Sequence, residues 1–165
     1  APIGVVSNLP YSAGTAIFQN LAEQPHQIMF MVLMFQAEVA QRLRAKPSTA
    51  HRGSLSVWAQ NFWDIESLMK VPPGSFSPPP KVDSEVVVVL PRKAPQVALT
   101  SENPDLWNNL LRGCFAHRRK MLRSCLASNK LFKEALNKSG IDSTKRAQAL
   151  DWEEWNALFE AAHQL

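Results

Sequence analysis

Two cysteines, four histidines and six glycines are all that 165 residues offer of the residue types that build disulfide frameworks, metal centres and phosphate-cradling loops. Cys114 and Cys125 are eleven positions apart, and in a single helix that spacing leaves roughly 16 Å between them along the axis, too far for a disulfide. Such cysteine usage does not suggest an oxidising compartment. The few His and Cys are scattered without the spacing of a zinc site, so no metal is expected. Gly4, Gly14, Gly53, Gly74, Gly113 and Gly140 include no pair spaced as G-x-G. The longest purely apolar run, 28–35, is too short to span a bilayer, and the N-terminus has no basic stretch, apolar core and cleavage site of a signal peptide. The expectation is a cytoplasmic protein without a membrane partner.

What is present is enough for one ordinary globular domain, or a compact domain with a smaller appendage: 45% of the residues are apolar. The formal charge of +4 and the pI near 9.3 permit a polyanionic partner without requiring one. Its distribution is more informative. Ten of the 18 basic residues lie between Arg112 and Arg146, with only Glu134 and Asp142 opposing them. The positive field belongs to the C-terminal third.

Along the chain, residues 3–7 form a β-branched run ending at a polar residue and a proline, as a buried strand running into a loop should. Residues 12–23 have helical spacing, with Ser12 or Thr15 as a cap. Residues 28–35 are apolar at every position, which predicts a strand covered on both faces. Helices are predicted over 36–43 and 55–62, separated by a polar loop at 47–53, and strands over 65–71 and 86–90. Between those strands, five of the twelve prolines crowd into nine residues, 72–80, predicting an extended, stiff segment. Residues 93–104 read as a linker. Beyond it the pattern is helical, near 105–127, 130–138, 143–149 and 151–163, with Gly140 and Asp151 as punctuation. The reading is an α/β part (1–92), a linker (93–104) and a basic helical part (105–165).

Asn8-Leu9-Pro10-Tyr11, at the end of the first strand, carries a definite chemistry. The exocyclic amine of adenine is a poor nucleophile because its lone pair is delocalised into the ring. Two acceptors that take both N–H bonds can draw the nitrogen toward tetrahedral geometry and aim the lone pair at an incoming methyl group. Asn8 offers a side-chain carbonyl and Leu9 a backbone carbonyl, while Pro10 holds Leu9 extended. Tyr11 supplies a flat face, and stacking a flipped base on it contributes roughly 1–3 kcal/mol, comparable with the cost of unstacking. In isolation the four residues also fit an ordinary strand-to-loop turn.

The rest of the chain supplies the context. Asn8 to Tyr11, Gln36-Ala37-Glu38-Val39-Ala40-Gln41-Arg42-Leu43, Leu55-Ser56-Val57-Trp58-Ala59-Gln60, the stretch VPPGSFSPPPKVDS over 71–84, Phe115-Ala116-His117-Arg118-Arg119-Lys120, and Gly140-Ile141-Asp142 with Arg146-Ala147 resemble, in order, the later motifs of the KsgA (RsmA) family of ribosomal RNA adenine N6,N6-dimethyltransferases. The resemblance covers almost the whole chain. It implies the C-terminal part of a Rossmann-like, S-adenosylmethionine-dependent methyltransferase sheet followed by a small all-helical domain. It also implies transfer of methyl groups to two adjacent adenines near the 3′ end of small-subunit rRNA, on RNA or a pre-30S particle, during ribosome biogenesis. Asn8, Leu9, Pro10 and Tyr11 would then be the target-amine motif, with Asn8 also near the methionine end of the cofactor, and Phe76 would close over the base opposite Tyr11. A loop-anchoring or core Phe is the plainer role for Phe76.

Arg118, Arg119, Lys120 and Arg123, with Lys145 and Arg146, are the candidate RNA contacts; a solvated helix face is the alternative. Glu38 and Arg42, four apart, are read as an exposed helix ion pair, and Trp152 and Trp155 as packing for the last helix. The family's glycine-rich cofactor loop and ribose-binding acid lie upstream of its amine motif, and neither is found before Asn8. These 165 residues alone are therefore expected to be inactive, and a sheet lacking its first three strands is expected to self-associate or swap through an exposed edge. Ser12-Ala13-Gly14, where the family usually has Asn-Ile-Ser, together with Phe35 and Ala37, departs from the pattern at the walls of the pocket. Two other functions fit less of the chain: an Erm-type large-subunit rRNA methyltransferase, against which residues 140–150 speak, and a non-catalytic RNA-binding assembly factor.

Overall fold

The computed structural model describes residues 1–165, which form two compact units: Ala1–Ala45 with Ala59–Pro95, and Lys46–Trp58 with Gln96–Leu165. Lys46–Trp58, assigned from sequence to the α/β part, packs with the helices. Val97, within the stretch read as linker, is fully buried in the helical core.

The first unit runs β1 (Ile3–Asn8), α1 (Gly14–Ala22), β2 (Ile28–Gln36), α2 (Ala37–Arg44), the end of α3 (Ser54–Phe62), β3 (Trp63–Val71) and β4 (Ser84–Pro91). The strands lie in the order β1-β2-β4-β3, with β1 parallel to β2 and both β2 and β3 antiparallel to β4. The parallel pair needs a crossover, which α1 provides. A single 3-10 turn, Pro73–Ser75, opens the proline-rich stretch that was expected to be extended throughout. Neither Ser12 nor Thr15 caps α1, whose N-cap is Ala13 without a side-chain bond; Ala13 N donates to the Pro10 carbonyl instead, so the preceding turn starts the helix.

One face of the sheet is a dry core. Met31, Leu33 and Phe35 of β2, Val87 and Val89 of β4, and Trp63 and Ile65 of β3 are all buried, each large side chain contributing about 1.5–3 kcal/mol. Helix α1 seals this face: Phe18 meets Phe35 edge-on with ring centroids 6.0 Å apart, and the Trp63 indole donates to the Ala22 carbonyl at 3.0 Å. The other face is only partly covered. Phe30, Val32 and Met34 of β2 are half-buried, Val6 of β1 is 74% exposed and Leu90 of β4 is 45% exposed. Residues 28–35 are therefore not sheathed on both faces as their composition predicts. Helices α1 and α2 both make their contacts with the first face.

The second unit contains the start of α3, then α4 (Leu106–Cys114), α5 (Leu122–Cys125), α6 (Lys130–Ser139) and α7 (Trp152–His163). Trp107 packs edge-on against Trp155 and Phe159, and Phe115 stacks on Trp155, each at 5.8 Å. Gly140 ends α6 in the left-handed region at φ 75°, which costs a glycine nothing. Asp151 caps α7 in a reciprocal box with Glu154. Two predicted helices are corrected. The one over 105–127 breaks after Cys114, turns, and resumes as the single turn α5; the one over 143–149 is a turn followed by a 3-10 segment, Ala147–Ala149. The two irregular stretches satisfy each other, since Leu122 N donates to Lys145 O at 2.8 Å and Arg123 N to Ser143 O at 3.0 Å. Cys114 and Cys125 are free thiols but do not share a helix, and burial, with a smaller push from Cys125, raises the Cys114 pKa. No helix is long and apolar enough to cross a membrane.

Candidate active site

Residues 8–11 are held by their neighbours while two hydrogen-bond acceptors, on Asn8 and Leu9, stay available. Asn8 ends β1 opposite Met34 of β2. The next residue, Leu9, is buried and donates its N–H to the Met34 carbonyl at 3.4 Å. The start of α1 closes tightly behind it: a Cβ on Gly14 would stand 3.4 Å from the Leu9 Cβ and 3.5 Å from the Phe35 ring. The Asn8 side chain is exposed and has no intramolecular hydrogen bond, and no backbone N–H is donated to the Leu9 carbonyl. Two acceptors at one strand end, on a backbone anchored by Leu9, can take the two N–H groups of an exocyclic amine.

Tyr11 is 39% exposed, and its hydroxyl is hydrogen-bonded to the Ser84 hydroxyl. Ser84 begins β4 and is fully buried, and its strand neighbour Glu85, also fully buried, is gripped by Arg44 through two hydrogen bonds of 2.9 Å. Those bonds raise the Arg44 pKa, outweighing the lowering by burial. Phe76 is half-buried and follows the 3-10 turn, its N–H donating to the Pro73 carbonyl at 3.1 Å. Its ring does not touch that of Tyr11. Ser84 closes the segment that bears Phe76, so Tyr11 is tied to the base of that segment. Sequence reasoning quoted Ser84 inside a motif block but assigned it no role, and it missed Arg44 and Glu85. The only available signal was a charged residue, Glu85, at a position where strand alternation demands burial.

Of the six candidate RNA contacts, Arg123 and Lys145 lie on two segments that the helical unit brings together, Arg123 N donating to Ser143 O and Lys145 O accepting from Leu122 N. The six are not equivalent. Arg118 spends its guanidinium internally, donating to the Arg52 carbonyl at 2.6 Å and to the Ala50 carbonyl. Lys145 is paired with Glu154 at 2.9 Å. Arg119, Lys120, Arg123 and Arg146 are exposed and carry no ion pair. Beneath the Arg118 latch, Arg52 is fully buried, with its guanidinium 5.4 Å from the centre of the Trp152 ring. Burial lowers its pKa to about 10, which leaves it charged at neutral pH. Glu38 and Arg42 form the exposed ion pair expected of them, at 3.2 Å, worth a few tenths of a kcal/mol.

Comparison with known proteins bears on what these residues serve. A family model described as ribosomal RNA adenine dimethylase matches residues 1–164. A curated protein of Syntrophotalea carbinolica named ribosomal RNA small subunit methyltransferase A is 37% identical over 161 residues, covering 95% of this chain and 60% of that protein. Its namesake in Brucella canis is 41% identical over 160 residues, covering 95% of this chain and 56% of that protein. The chain thus spans less than two thirds of the length of these relatives. The crystal structure of a dimethyladenosine transferase from Plasmodium falciparum superposes with a TM-score of 0.77 at 25% identity, over 94% of this chain and 64% of that one. The 23S rRNA methyltransferase ErmE, at 23% identity and a TM-score of 0.69, shares the fold over 99% of this chain and 66% of its own. The sheet is the later part of a Rossmann-like methyltransferase sheet, followed by a small helical part. With a family match running from its first residue to its penultimate one, the chain belongs to the ribosomal RNA adenine dimethylase family.

Proposed function

We propose that the protein bearing this chain transfers methyl groups from S-adenosylmethionine to the N6 amine of adenine in ribosomal RNA, dimethylating two adjacent adenines of the small-subunit rRNA during ribosome biogenesis in the cytoplasm. The observation that carries this reading is the pair of acceptors at the end of β1, the Asn8 side chain and the Leu9 carbonyl, neither engaged by a donor of the protein. Asn8 Oδ1 accepts one N–H of the adenine amine and Leu9 O the other, which localises the nitrogen lone pair. Pro10 keeps Leu9 extended, and Tyr11 offers its ring face to the flipped base, with Phe76 as the closing aromatic.

The methyl donor is supplied by the bound cofactor. Asn8 fits its edge, because open α/β sheets bind ligands outside the carboxyl ends of parallel strands, where Asn8 stands on β1 beside β2. Residues 105–165 serve as the RNA-binding domain. Arg119, Lys120, Arg123 and Arg146 contact phosphates, while Arg118 and Lys145 support the turn that presents them. The partner is small-subunit rRNA or a pre-30S particle.

The test is methylation by the intact protein of small- and large-subunit precursor particles, with and without Asn8→Ala. Dimethyladenosine in small-subunit rRNA, lost in the variant, is the expected result. Modification of large-subunit RNA would indicate the Erm-type activity, and a growth phenotype untouched by Asn8→Ala would indicate an assembly factor without catalysis.

A further inference from the structure

We propose that Ser84 is a positioning residue for methyl transfer: its hydroxyl holds the Tyr11 hydroxyl and thereby sets the ring on which the target adenine stacks. This inference rests on the adenine-methylating reading of the site. Tyr11 follows the end of β1, whereas Ser84 starts β4, two strands away, so the tyrosine crosses the end of β2 to make its bond. A phenol ring 39% exposed on a turn would otherwise sample several rotamers. Tied at its far end, the ring has one orientation before the base arrives, and the ordering does not have to be supplied by substrate binding.

Ser84 is itself fixed from every side. It is fully buried, and it pairs with Gln36 of β2 and Val71 of β3. Asp83 O, just before it, accepts from Ala37 N at 2.9 Å. Glu85, just after it, is clamped by Arg44. A hydroxyl so placed can serve as a fixed anchor. Its partner is the one polar group by which the exposed ring of Tyr11 is held.

The experiment uses the intact protein with tyrosine labelled at 13Cζ, the Tyr11 resonance being assigned by its loss in Tyr11→Phe. Ser84→Ala is expected to shift that resonance, to lower kcat for RNA methylation about tenfold, the effect of one neutral hydrogen bond realised in the transition state, and to leave KM for S-adenosylmethionine unchanged. Tyr11→Phe should lose kcat to the same extent, the double variant no more than either single one, and Ser84→Thr should keep both the resonance and the rate. An unmoved resonance in Ser84→Ala overturns the proposal, as do unchanged kcat, additive losses, or an equal loss in Ser84→Thr. If Ser84→Ala does not fold, Tyr11→Phe decides through kcat, and an unchanged value there overturns the anchor. Absence of methyl transfer by the unmodified protein would instead refute the functional reading, and the positioning role with it.

Discussion

Arg44 and Glu85 meet in a two-pronged ion pair, Nε to Oε2 and Nη2 to Oε1, both at 2.9 Å, with the carboxylate fully buried and the guanidinium partly exposed. The pair joins the end of α2 to the start of β4, next to the serine that holds Tyr11. Removing the cation leaves a carboxylate stranded in the core, which is far more harmful than removing both charges. Arg44→Ala should therefore destabilise the protein by about 3 kcal/mol, and Arg44→Met with Glu85→Leu should recover most of that loss. Denaturant unfolding of the single and double variants measures both, and a single variant as stable as the parent would show that the pair is not structural.

Asn8→Ala in the intact protein removes one of the two acceptors proposed for the adenine amine while leaving the Leu9 anchor untouched. By analogy with the loss of a single transition-state hydrogen-bonding group, kcat should fall by about 100-fold or more. The melting temperature should stay within a degree or two, since the side chain is exposed and bonds to nothing in the protein. Rate and melting curve together separate this result from simple unfolding.

The basic turn should divide under mutation. Alanine at Arg119, Lys120 or Arg123 should weaken RNA binding and reduce the slope of log affinity against log salt by about 0.7 to 0.9 per residue, without loss of stability. Arg118→Ala should mainly destabilise, by about 1–2 kcal/mol, because it strips donors from the carbonyls of Ala50 and Arg52. Filter binding across a salt series, paired with thermal melts, distinguishes the two classes.

Asp142 should give the helical unit an acid limb. The side-chain and backbone hydrogen bonds from Thr144 lower its pKa, aided by Lys145 and Arg123. A carboxyl whose folded pKa lies below its unfolded one binds protons less readily when folded. Its stabilisation is fully present above the unfolded value of about 3.9 and is lost as pH falls through the depressed folded pKa. Titration of the Asp142 carboxyl carbon by NMR should give a midpoint below that of a free aspartate, and Thr144→Ala should move it upward.

A polypeptide of residues 1–165 should associate with itself. β1 is an edge strand with Val6 and Ile3 largely exposed, at 74% and 58%, and such an edge templates pairing. Scattering mass should rise with concentration, and Val6→Lys should suppress the rise. The same polypeptide should show no binding of S-adenosylmethionine by calorimetry; a clean one-site isotherm would contradict this.

Sequence alone determined whatever depends on a few neighbouring residues. The strand ending at Asn8, the glycine at the end of α6 and the Asp151 cap all follow from backbone preferences and local hydrogen bonding, which act over one turn or one strand. The unbroken apolar run over 28–35 and the spacing of Trp155 also marked those positions for burial, and Met31, Leu33, Phe35 and Trp155 are buried. The pattern could not show that the apolar run of β2 has one face dry and the other half-open, because composition records affinity for burial and not what is available to cover it. Nor could it show that the helix beginning at Leu106 breaks, since Leu122 and Leu126 continue the same apolar pattern, while the carbonyls that engage the broken stretch, those of Ala50, Arg52, Ser143 and Lys145, lie far away in the chain. Tertiary structure decided the rest by bringing distant residues together: Ser84 to Tyr11 across 73 positions, Glu85 to Arg44 across 41, and Arg118 to Ala50 across 68. Each contact joins groups whose local sequences carry no trace of the partner, because hydrogen bonds and ion pairs are satisfied by proximity in space.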